Sequence, residues 1–197
     1  MPALPFLHQS PGLHHKESFF MNTFVTPYLY CLFPSPLGRI ALIADDTHIV
    51  GLTAHGGLED WIEKQDSTRS RIVMERRSTS LLSIAQKQIL EYFEGRRKEF
   101  ALPLLFYGTP FQKKVWHTIA QIPYGATCTY GQIAREIGTK AVQAVGTAVG
   151  RNPIPIIVPC HRVLPANGSL GNFSFSCGPM AKQYLLNLEG HNFPDPI

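Results

Sequence analysis

The alternation of apolar and polar residues predicts an antiparallel meander near the start of the chain. Tyr28–Phe33 and Arg39–Ala44 have the composition of strands, and the segment between them is rich in proline, serine and glycine, as is typical of a turn. Two aspartates then turn the chain into a third strand, His48–Thr53. The polar stretch that follows, as far as about residue 78, has too weak a pattern to predict an element.

Helical periodicity predicts three longer helices. The first ends at Gly95. The second begins at Thr109, an N-cap that is followed by Pro110 at the first helical position. The third is opened by Pro179. Their apolar stripes consist of Leu81, Leu82, Ala85, Ile89, Leu90 and Phe93, of Phe111, Val115 and Ile119, and of Ala181, Tyr184, Leu185 and Leu188.

Two short helices separated by a glycine turn lie between the second and third of these. Thr129 and Gln132 form a capping-box pattern at the start of the first short helix, which ends at Gly138. The other runs from about Lys140 to Val149 and is again followed by glycine. This outline is that of a helix-turn-helix, although many helical hairpins bind nothing.

The second short helix consists largely of small residues, which are Ala141, Ala144, Gly146, Thr147, Ala148 and Gly150. It therefore lacks the long polar side chains with which recognition helices read the major groove. Two interpretations remain open. The small residues allow tight packing against another helix, or they allow the helix to approach the floor of the narrower minor groove.

Composition excludes several classes of protein. With 197 residues, of which 44% are hydrophobic and 16% charged, the chain can form one domain or two small domains that share a core. No apolar run is long enough to span a membrane. The four cysteines show no CxxC pair, so that neither a metal site nor a disulfide scaffold is predicted. Reduced thiols favour a cytosolic setting, and we expect a cytoplasmic protein, or a nuclear one in a eukaryote.

Positive charge is concentrated in the second half of the chain. Residues 1–100 contain 11 basic and 11 acidic side chains, whereas residues 101–197 contain 7 basic and 3 acidic ones. This excess suits a polyanionic partner. Residues 1–20 show no periodicity and lack the features of a secretion signal, so that we expect a disordered extension there.

The segment from Arg151 to Val163 contains the candidate nucleophile. Its three prolines are interleaved with β-branched residues, which predicts a stiff, extended backbone that presents Cys160 at a fixed place. His161 and Arg162 follow, and a base and positive charge lower the pKa of a nearby thiol. Because adjacent side chains of an extended segment point in opposite directions, a water is a plausible bridge between Cys160 and His161. A buried structural cysteine is the alternative interpretation.

Glu189 is the candidate third member of this site. It lies in the final turn of the last predicted helix, where a carboxylate opposes the helix dipole. Such a residue is either solvated or held by a cation. His161 is the candidate cation, which gives a relay from Glu189 through His161 and a water to Cys160.

These features closely resemble those of the O6-alkylguanine-DNA alkyltransferases, also called methylated-DNA–protein-cysteine methyltransferases. The resemblance is strong over about residues 100–190 and looser over residues 28–100. Its most specific part is the block Pro159–Val163 after Asn152–Pro153. The other matching motifs are Thr109–Gln112, Val115–Trp116, Ile122–Gly125, Thr129–Ala134, Ala144–Gly146 and Leu185–Gly190.

The resemblance implies an α/β (α+β) fold. A small RNase H-like domain with antiparallel strands, residues 21–104, is followed by a helical domain, residues 105–192, that contains the helix-turn-helix and the active-site cysteine. It further implies a monomer that binds double-stranded DNA in the minor groove and extrudes the damaged nucleotide. The alkyl group of O6-alkylguanine is then transferred to Cys160 once per molecule, without a metal or an organic cofactor.

The resemblance also implies a role for each catalytic residue. Cys160 is the alkyl acceptor. Glu189 orients His161, which takes the thiol proton through a water. Tyr130 donates a proton to N3 of guanine, and Asn152 braces the turn that contains the cysteine.

Seven residues are implied in contacts with the substrate or DNA. Val158 offers its backbone carbonyl to the guanine amino group, as does Cys160. Gln143 stands where the family has an arginine that fills the gap left by the extruded base. Glutamine can occupy this gap but lacks the positive charge of arginine. We therefore expect weaker extrusion of the nucleotide and weaker DNA binding. The full set is Gln143, Ala141, Ala144, Arg151, Val158, Phe173 and Ser174.

A second departure from the family concerns the substrate loop, Asn172–Gly178. This loop is about two residues longer here, with Phe175 and Ser176 where the family has glycines. The change keeps open a second hypothesis, a non-catalytic protein of the same fold that binds alkylation lesions. A third, an unrelated Cys–His hydrolase, needs an oxyanion hole, for which the sequence has no motif.

Overall fold

The structure is a computed structural model that describes residues 27–54, 56–66 and 72–193. The disordered extension predicted for residues 1–20 lies outside the described residues. No helix within the described part of the chain is long and apolar enough to cross a membrane.

The first half of the chain forms a four-stranded sheet. Its strands are β1 (Tyr28–Ser35), β2 (Gly38–Ala44), β3 (Ile49–Ala54) and β4 (Met74–Arg76), in the order β3-β2-β1-β4. The pairs β1–β2 and β2–β3 are antiparallel, which confirms the predicted meander. β4 pairs with β1 in the parallel direction.

Two elements occur where the sequence pattern was too weak to predict any. α1 (Leu58–Asp66) precedes β4, which has only three residues. Both are shorter than the windows in which periodicity becomes visible. Trp61 of α1 is 5% exposed and packs edge-on against Tyr28, with ring centroids 5.5 Å apart. This contact fixes α1 on the sheet face opposite the main core.

α2 (Ser80–Phe93) covers the other face of the sheet and packs on β1 and β2. Thr79 caps it, because its hydroxyl accepts a hydrogen bond from the backbone N–H of Leu82. The buried residues of the helix include Ile89 and Tyr92, which places Tyr92 between the sheet and the second half of the chain.

The second half is mainly helical. α3 (Pro110–Ala120), α4 (Tyr130–Glu136), α5 (Val142–Gly150) and α6 (Pro179–Leu188) are its helices. The capping box predicted at the start of α4 is present, and the predicted N-cap Thr109 also forms a capping box, with Gln112, at the start of α3. α5 begins two residues later than predicted, because residues 140 and 141 form a turn closed by the hydrogen bond from the N–H of Val142 to the carbonyl of Lys140.

A second, two-stranded parallel sheet joins the start of α4 to the segment after the candidate nucleophile. It pairs β5 (Cys128–Thr129) with β6 (Val163–Leu164). One hydrophobic core spans both halves of the molecule and includes Leu42, Ile89, Val115, Val145 and Leu185. The two halves therefore bury apolar surface against each other, which is the main source of stability at such a boundary.

The close approach of β3 to α1 yields a test of this packing. A Cβ at Gly51 would lie 2.4 Å from Nε1 of Trp61 and 2.9 Å from Cδ1 of Ile43. Gly51→Ala should therefore lower the free energy of unfolding by about 1–3 kcal/mol, the usual cost of overpacking. Urea unfolding followed by circular dichroism measures this difference. In Gly150→Ala, the matched control, the new Cβ meets no atom within 4 Å. Equal losses in the two variants would contradict the described packing of α1.

Candidate active site

The segment before the candidate nucleophile is compact, not extended as the prolines predicted. The N–H of Val158 donates to the carbonyl of Ile154 at 2.9 Å, and Ile156 adopts φ +74°. Residues Cys160–Arg162 then form a turn of 3-10 helix. The prediction of an extended backbone is wrong because these prolines restrict φ but are compatible with consecutive turns. The segment is also joined to the sheet, since the carbonyl of Pro153 accepts from the N–H of Leu52 at 2.9 Å.

Cys160 is held by the side chain of Asn152. The Nδ2 of Asn152 lies 3.1 Å from Sγ of Cys160 and donates to the carbonyl of Val158 at 2.8 Å. The Oδ1 of Asn152 accepts from the N–H of Ile154. One amide therefore connects three parts of the turn, as expected of a bracing residue. The Val158 carbonyl also accepts from the N–H of Cys160, so that an additional bond to a guanine amino group requires the exchange of one of these.

The thiol of Cys160 is buried, at 5% exposure. Burial raises the pKa of the Cys160 thiol to about 11, and the hydrogen bond from Asn152 and the charge of Lys182 offset this only in part. The expected lowering of the thiol pKa by Arg162 is therefore wrong for the protein without DNA. Arg162 points away from the thiol, toward Glu189.

His161 and Glu189 are in contact, as the sequence predicted. Nε2 of His161 lies 2.9 Å from Oε1 of Glu189, and neither side chain is exposed. Burial lowers the pKa of His161, although the neighbouring carboxylate acts in the opposite direction. His161 is therefore neutral near pH 7. Its Nδ1 has no hydrogen-bond partner in the described part of the chain, and this nitrogen is the one available to take a proton.

The Glu189 carboxylate also holds Arg162 in a two-point ion pair. Nε and one terminal nitrogen of Arg162 donate to its two oxygens, each at 2.8 Å. The N–H of Gly125 and the hydroxyl of Tyr92 donate as well, at 3.2 Å and 2.7 Å. Burial would raise the pKa of Glu189, but the hydrogen bonds from His161, Arg162 and Tyr92 outweigh it and hold this pKa well below its usual range.

Lys182 is a second buried cation that sequence reasoning did not find. It is 1% exposed and donates to the carbonyl of Val163 at 2.6 Å. Burial lowers the pKa of Lys182 to about 8, whereas the charge of a Cys160 thiolate acts in the opposite direction. The available sequence signal was the position of this lysine, directly after Ala181 of the apolar stripe. Lysine is rarely buried without a partner, so that a lysine beside a buried stripe indicates a specific contact.

Tyr130 lies at the start of α4, close to α5 and to the cysteine. Its ring is about 3.8 Å from the position of a Cβ on Gly146. Burial raises the pKa of Tyr130, and the Cys160 charge adds to this effect. The phenol is therefore a proton donor at neutral pH, which is the form that the expected role requires.

The small residues of α5 are divided between two faces. Val145, Ala148 and Val149 are buried. The opposite face is exposed and consists of the predicted DNA contacts Ala141, Gln143, Ala144 and Arg151 together with Val142 and Thr147. One face of α5 therefore packs in the core, and the other presents mainly short side chains to the surface.

The longer substrate loop is anchored at three points. The hydroxyl of Ser174 donates to the carbonyl of Gly150 at 2.9 Å, and that of Ser176 donates to the carbonyl of Leu37 at 2.7 Å. Phe175 is 4% exposed and packs edge-on against Phe173, with centroids 6.2 Å apart. Ser176 adopts φ +51°, a conformation that costs a non-glycine residue about 1 kcal/mol. Ser176 therefore connects this loop to the first half of the chain.

A buried cysteine held by Asn152, followed by a histidine that is paired with a buried carboxylate, defines a candidate thiol site. Two family sequence models match the chain. The one described as 6-O-methylguanine DNA methyltransferase, ribonuclease-like domain, matches residues 28–106, and the one described as 6-O-methylguanine DNA methyltransferase, DNA binding domain, matches residues 110–191. The chain belongs to the 6-O-methylguanine DNA methyltransferase family.

Individual relatives agree with this assignment. The constitutive methylated-DNA–protein-cysteine methyltransferase of Bacillus subtilis is 40% identical over 161 residues, which are 81% of this chain and 94% of that protein. The corresponding protein of Methanosarcina acetivorans is 40% identical over 168 residues, 82% of this chain and 97% of that protein. The family, the fold class and the class of enzyme expected from the sequence are therefore confirmed.

Solved structures show the same architecture. Mycobacterium tuberculosis OGT in complex with DNA superposes with a TM-score of 0.67 at 37% identity, covering 82% of this chain and 92% of that chain. A second structure, M. tuberculosis O6-methylguanine methyltransferase, gives a TM-score of 0.68 at 36% identity, covering 86% of this chain and 96% of that chain.

The buried ion pair of Glu189 leads to a prediction on stability. Glu189→Gln leaves Arg162 buried without a counter-charge, and at pH 7 it should lower the free energy of unfolding by about 3–5 kcal/mol. In the folded protein the pKa of Glu189 lies below its unfolded value, so that its contribution is fully present above the unfolded pKa, near 4.3, and is lost as the pH falls further. The stability difference should therefore shrink between about pH 5 and pH 3.

Urea unfolding at several pH values measures this difference. Glu91→Gln is the control, because Glu91 pairs with Arg97 at 2.8 Å near the surface, where such pairs contribute little. A difference between Glu189→Gln and the unchanged protein that stays constant down to pH 3 would show that the carboxylate is not held as an anion by its neighbours.

Proposed function

We propose that this protein repairs double-stranded DNA by a single transfer of the alkyl group from O6-alkylguanine to Cys160. The observation that supports this most directly is the arrangement around the thiol. Asn152 holds Sγ at 3.1 Å, and the adjacent His161 is paired with Glu189. Asn152 follows directly after the C-cap of α5, and the chain belongs to a family of DNA methyltransferases.

The proposed reaction exchanges one bond for another. A bond forms between Sγ of Cys160 and the alkyl carbon, while the bond from that carbon to O6 of guanine breaks. The thiol proton passes to Nδ1 of His161 through a bridging water, and the Tyr130 hydroxyl donates to N3 of the leaving guanine. The product thioether is a poor leaving group, so that each molecule acts once.

The raised pKa of the thiol determines when the proton must move. Ionising a thiol whose pKa is about 11 at pH 7 costs about 5 kcal/mol, since each pKa unit corresponds to 1.36 kcal/mol. The proton therefore leaves as the substrate arrives and not beforehand. A neutral His161 is suited to accept it, and Glu189 stabilises the imidazolium that results.

We propose that α5 enters the minor groove of the DNA. The exposed face of α5 protrudes little from the helix backbone, because Ala141, Ala144 and Thr147 have short side chains. Such a surface can approach a narrow groove closely. Gln143 occupies the gap left by the extruded nucleotide, and Phe173 and Ser174 form one wall of the base pocket. Arg151 and the other exposed basic residues of the second half contact phosphates.

We further propose that residues 21–104 and 105–192 are the two domains and that the protein acts as a monomer in the cytoplasm or, in a eukaryote, the nucleus. A single copy supplies every residue assigned to the reaction, so that no second copy is needed.

Mass spectrometry tests the proposed transfer. After incubation with a duplex containing O6-methylguanine, the peptide that contains Cys160 should gain the mass of one methyl group, at most once per molecule. Cys160→Ala should abolish this gain and retain DNA binding. Cys177→Ala, the control, removes an exposed cysteine and should leave the gain intact. DNA binding without methylation would favour a lesion-binding protein, and repeated turnover of esters or amides would favour a hydrolase.

The residue in the position of the family's arginine gives a prediction on affinity. Gln143→Arg should tighten binding to a lesion duplex by about fivefold, the effect of one added charge-assisted contact of about 1 kcal/mol. The slope of log Kd against log salt should also steepen by about one unit, because one more cation displaces counterions. Fluorescence anisotropy at several salt concentrations measures both quantities.

Gln86→Arg on α2 is the matched control for this change in charge. It should leave the salt slope nearly unchanged, because α2 lies outside the proposed DNA surface. If Gln143→Arg leaves the affinity equal or lower, the proposed role of this position is wrong.

A further inference from the structure

We infer that Tyr92 is a positioning residue for the alkyl transfer. It lies in the first half of the chain and contacts Glu189 and His161, which belong to the second half. The inference rests on the proposed function, because it assigns a role within the same reaction. Tyr92 belongs to α2, in the part of the chain from which no catalytic residue was expected.

The hydroxyl of Tyr92 contacts both members of the buried pair. It donates to Oε1 of Glu189 at 2.7 Å and lies 3.4 Å from Nε2 of His161. Tyr92 itself is completely buried. A hydrogen bond to a carboxylate is stronger than one between neutral groups, and more so where water is excluded.

The other donors to this carboxylate all lie in the second half of the chain. Oε1 faces His161 and Arg162, whereas Oε2 accepts from Arg162 and from the N–H of Gly125. Among the residues that the structure describes, Tyr92 is thus the one donor to the Glu189 carboxylate from before residue 110. Its position on Oε1 fixes the oxygen that pairs with the imidazole.

The orientation of the imidazole depends on this oxygen. With Nε2 of His161 directed to Glu189, Nδ1 remains as the acceptor for the thiol proton. If the carboxylate rotates, the hydrogen of Nε2 loses its partner and the ring can turn. Tyr92 therefore acts on the reaction through Glu189 and His161 without touching the substrate.

Tyr92 does not exchange the proton itself. Burial and the adjacent Glu189 charge raise the pKa of Tyr92 far above its usual value, although Arg162 acts in the opposite direction. The hydroxyl consequently remains a donor throughout the pH range of the reaction. This distinguishes a positioning residue from a general acid.

The ring of Tyr92 is packed independently of its hydroxyl. It contacts Phe93, Phe100 and Tyr124, with ring centroids 5.8, 5.5 and 6.1 Å away. Tyr92→Phe keeps these contacts and removes only the donor, so that the folded structure should be retained.

Tyr124, in the loop after α3, offers a matched control because its hydroxyl bonds to the last residue of α6. The hydroxyl of Tyr124 donates to the backbone carbonyl of Leu188 at 2.8 Å, next to Glu189 but not to its carboxylate. Tyr124→Phe therefore loses a hydrogen bond at the same end of the same helix. It leaves the donors to the Glu189 side chain in place.

The experiment measures single-turnover methyl transfer from a lesion duplex and, separately, the Kd for that duplex. In Tyr92→Phe the transfer rate at saturating DNA should fall about tenfold, the factor that corresponds to loss of a hydrogen bond to a charged group. The Kd should stay within about twofold. Tyr124→Phe should change neither quantity, although it can lower the melting temperature.

The pH dependence of the transfer rate is a second readout, and a general loosening of the core would not shift it. The charged and titratable groups that face His161 are Glu189, Arg162 and Lys182, with the Tyr92 and Tyr124 hydroxyls beside the carboxylate. Without the Tyr92 donor, Glu189 binds the imidazolium more strongly, because it shares its charge with fewer partners. The acid limb of the transfer rate should therefore shift to higher pH in Tyr92→Phe and not in Tyr124→Phe.

Two results would overturn the inference: an unchanged transfer rate and pH profile in Tyr92→Phe, or equal losses of rate in Tyr92→Phe and Tyr124→Phe. Failure of the proposed function is distinguishable from either, because the unchanged protein would then acquire no methyl group on Cys160.

Discussion

The carboxylate of Glu189 is the group on which the arrangement of the site depends. It is fully buried, and it receives hydrogen bonds from His161, Arg162, Tyr92 and the backbone of Gly125. These four partners come from three parts of the fold: a helix in the first half, a loop after α3 and the turn that contains the nucleophile. A buried anion of this kind is costly unless cations and hydrogen-bond donors compensate its charge. The carboxylate therefore couples the packing of these three parts to the stability of the fold.

The two halves of the molecule meet around this group. The shared core joins the sheet and α2 to the helices of the second half, and the carbonyl of Pro153 accepts a hydrogen bond from Leu52 of β3. The substrate loop extends the same contact, since Ser176 reaches the carbonyl of Leu37. The first half thus contacts the segment before the cysteine through Leu52, the loop through Leu37 and Glu189 through Tyr92.

Local patterns in the sequence predicted much of the fold. The N-cap of α3, the capping box of α4, the meander and the apolar stripe of α2 depend on neighbouring residues, and each was found where it was expected. α1 and β4 were not predicted, because they are short and depend on contacts with residues distant in sequence. The compact turn before Cys160 was mistaken for an extended segment, since proline fixes φ but leaves the direction of the chain to its neighbours.

The candidate site was predicted unevenly for the same reason. Cys160, His161, Asn152 and Glu189 stand in recognisable motifs, and the structure brings them together. Lys182 and Tyr92 lie beside residues of the apolar stripes of their helices, where only the tertiary fold reveals a polar role. The electrostatic environment of the thiol was predicted in the wrong direction, because the sequence shows which charges are near along the chain but not how deeply a side chain is buried.

The depth of that burial also affects the lifetime of the protein before it meets damage. Peroxides oxidise thiolates in preference to thiols and reach exposed sulfur first. Cys160 is protonated and almost inaccessible, whereas Cys177 is exposed only 17 positions further along the chain. The exposed Cys177 is therefore open to oxidants, whereas burial and protonation shield the alkyl acceptor Cys160 from them.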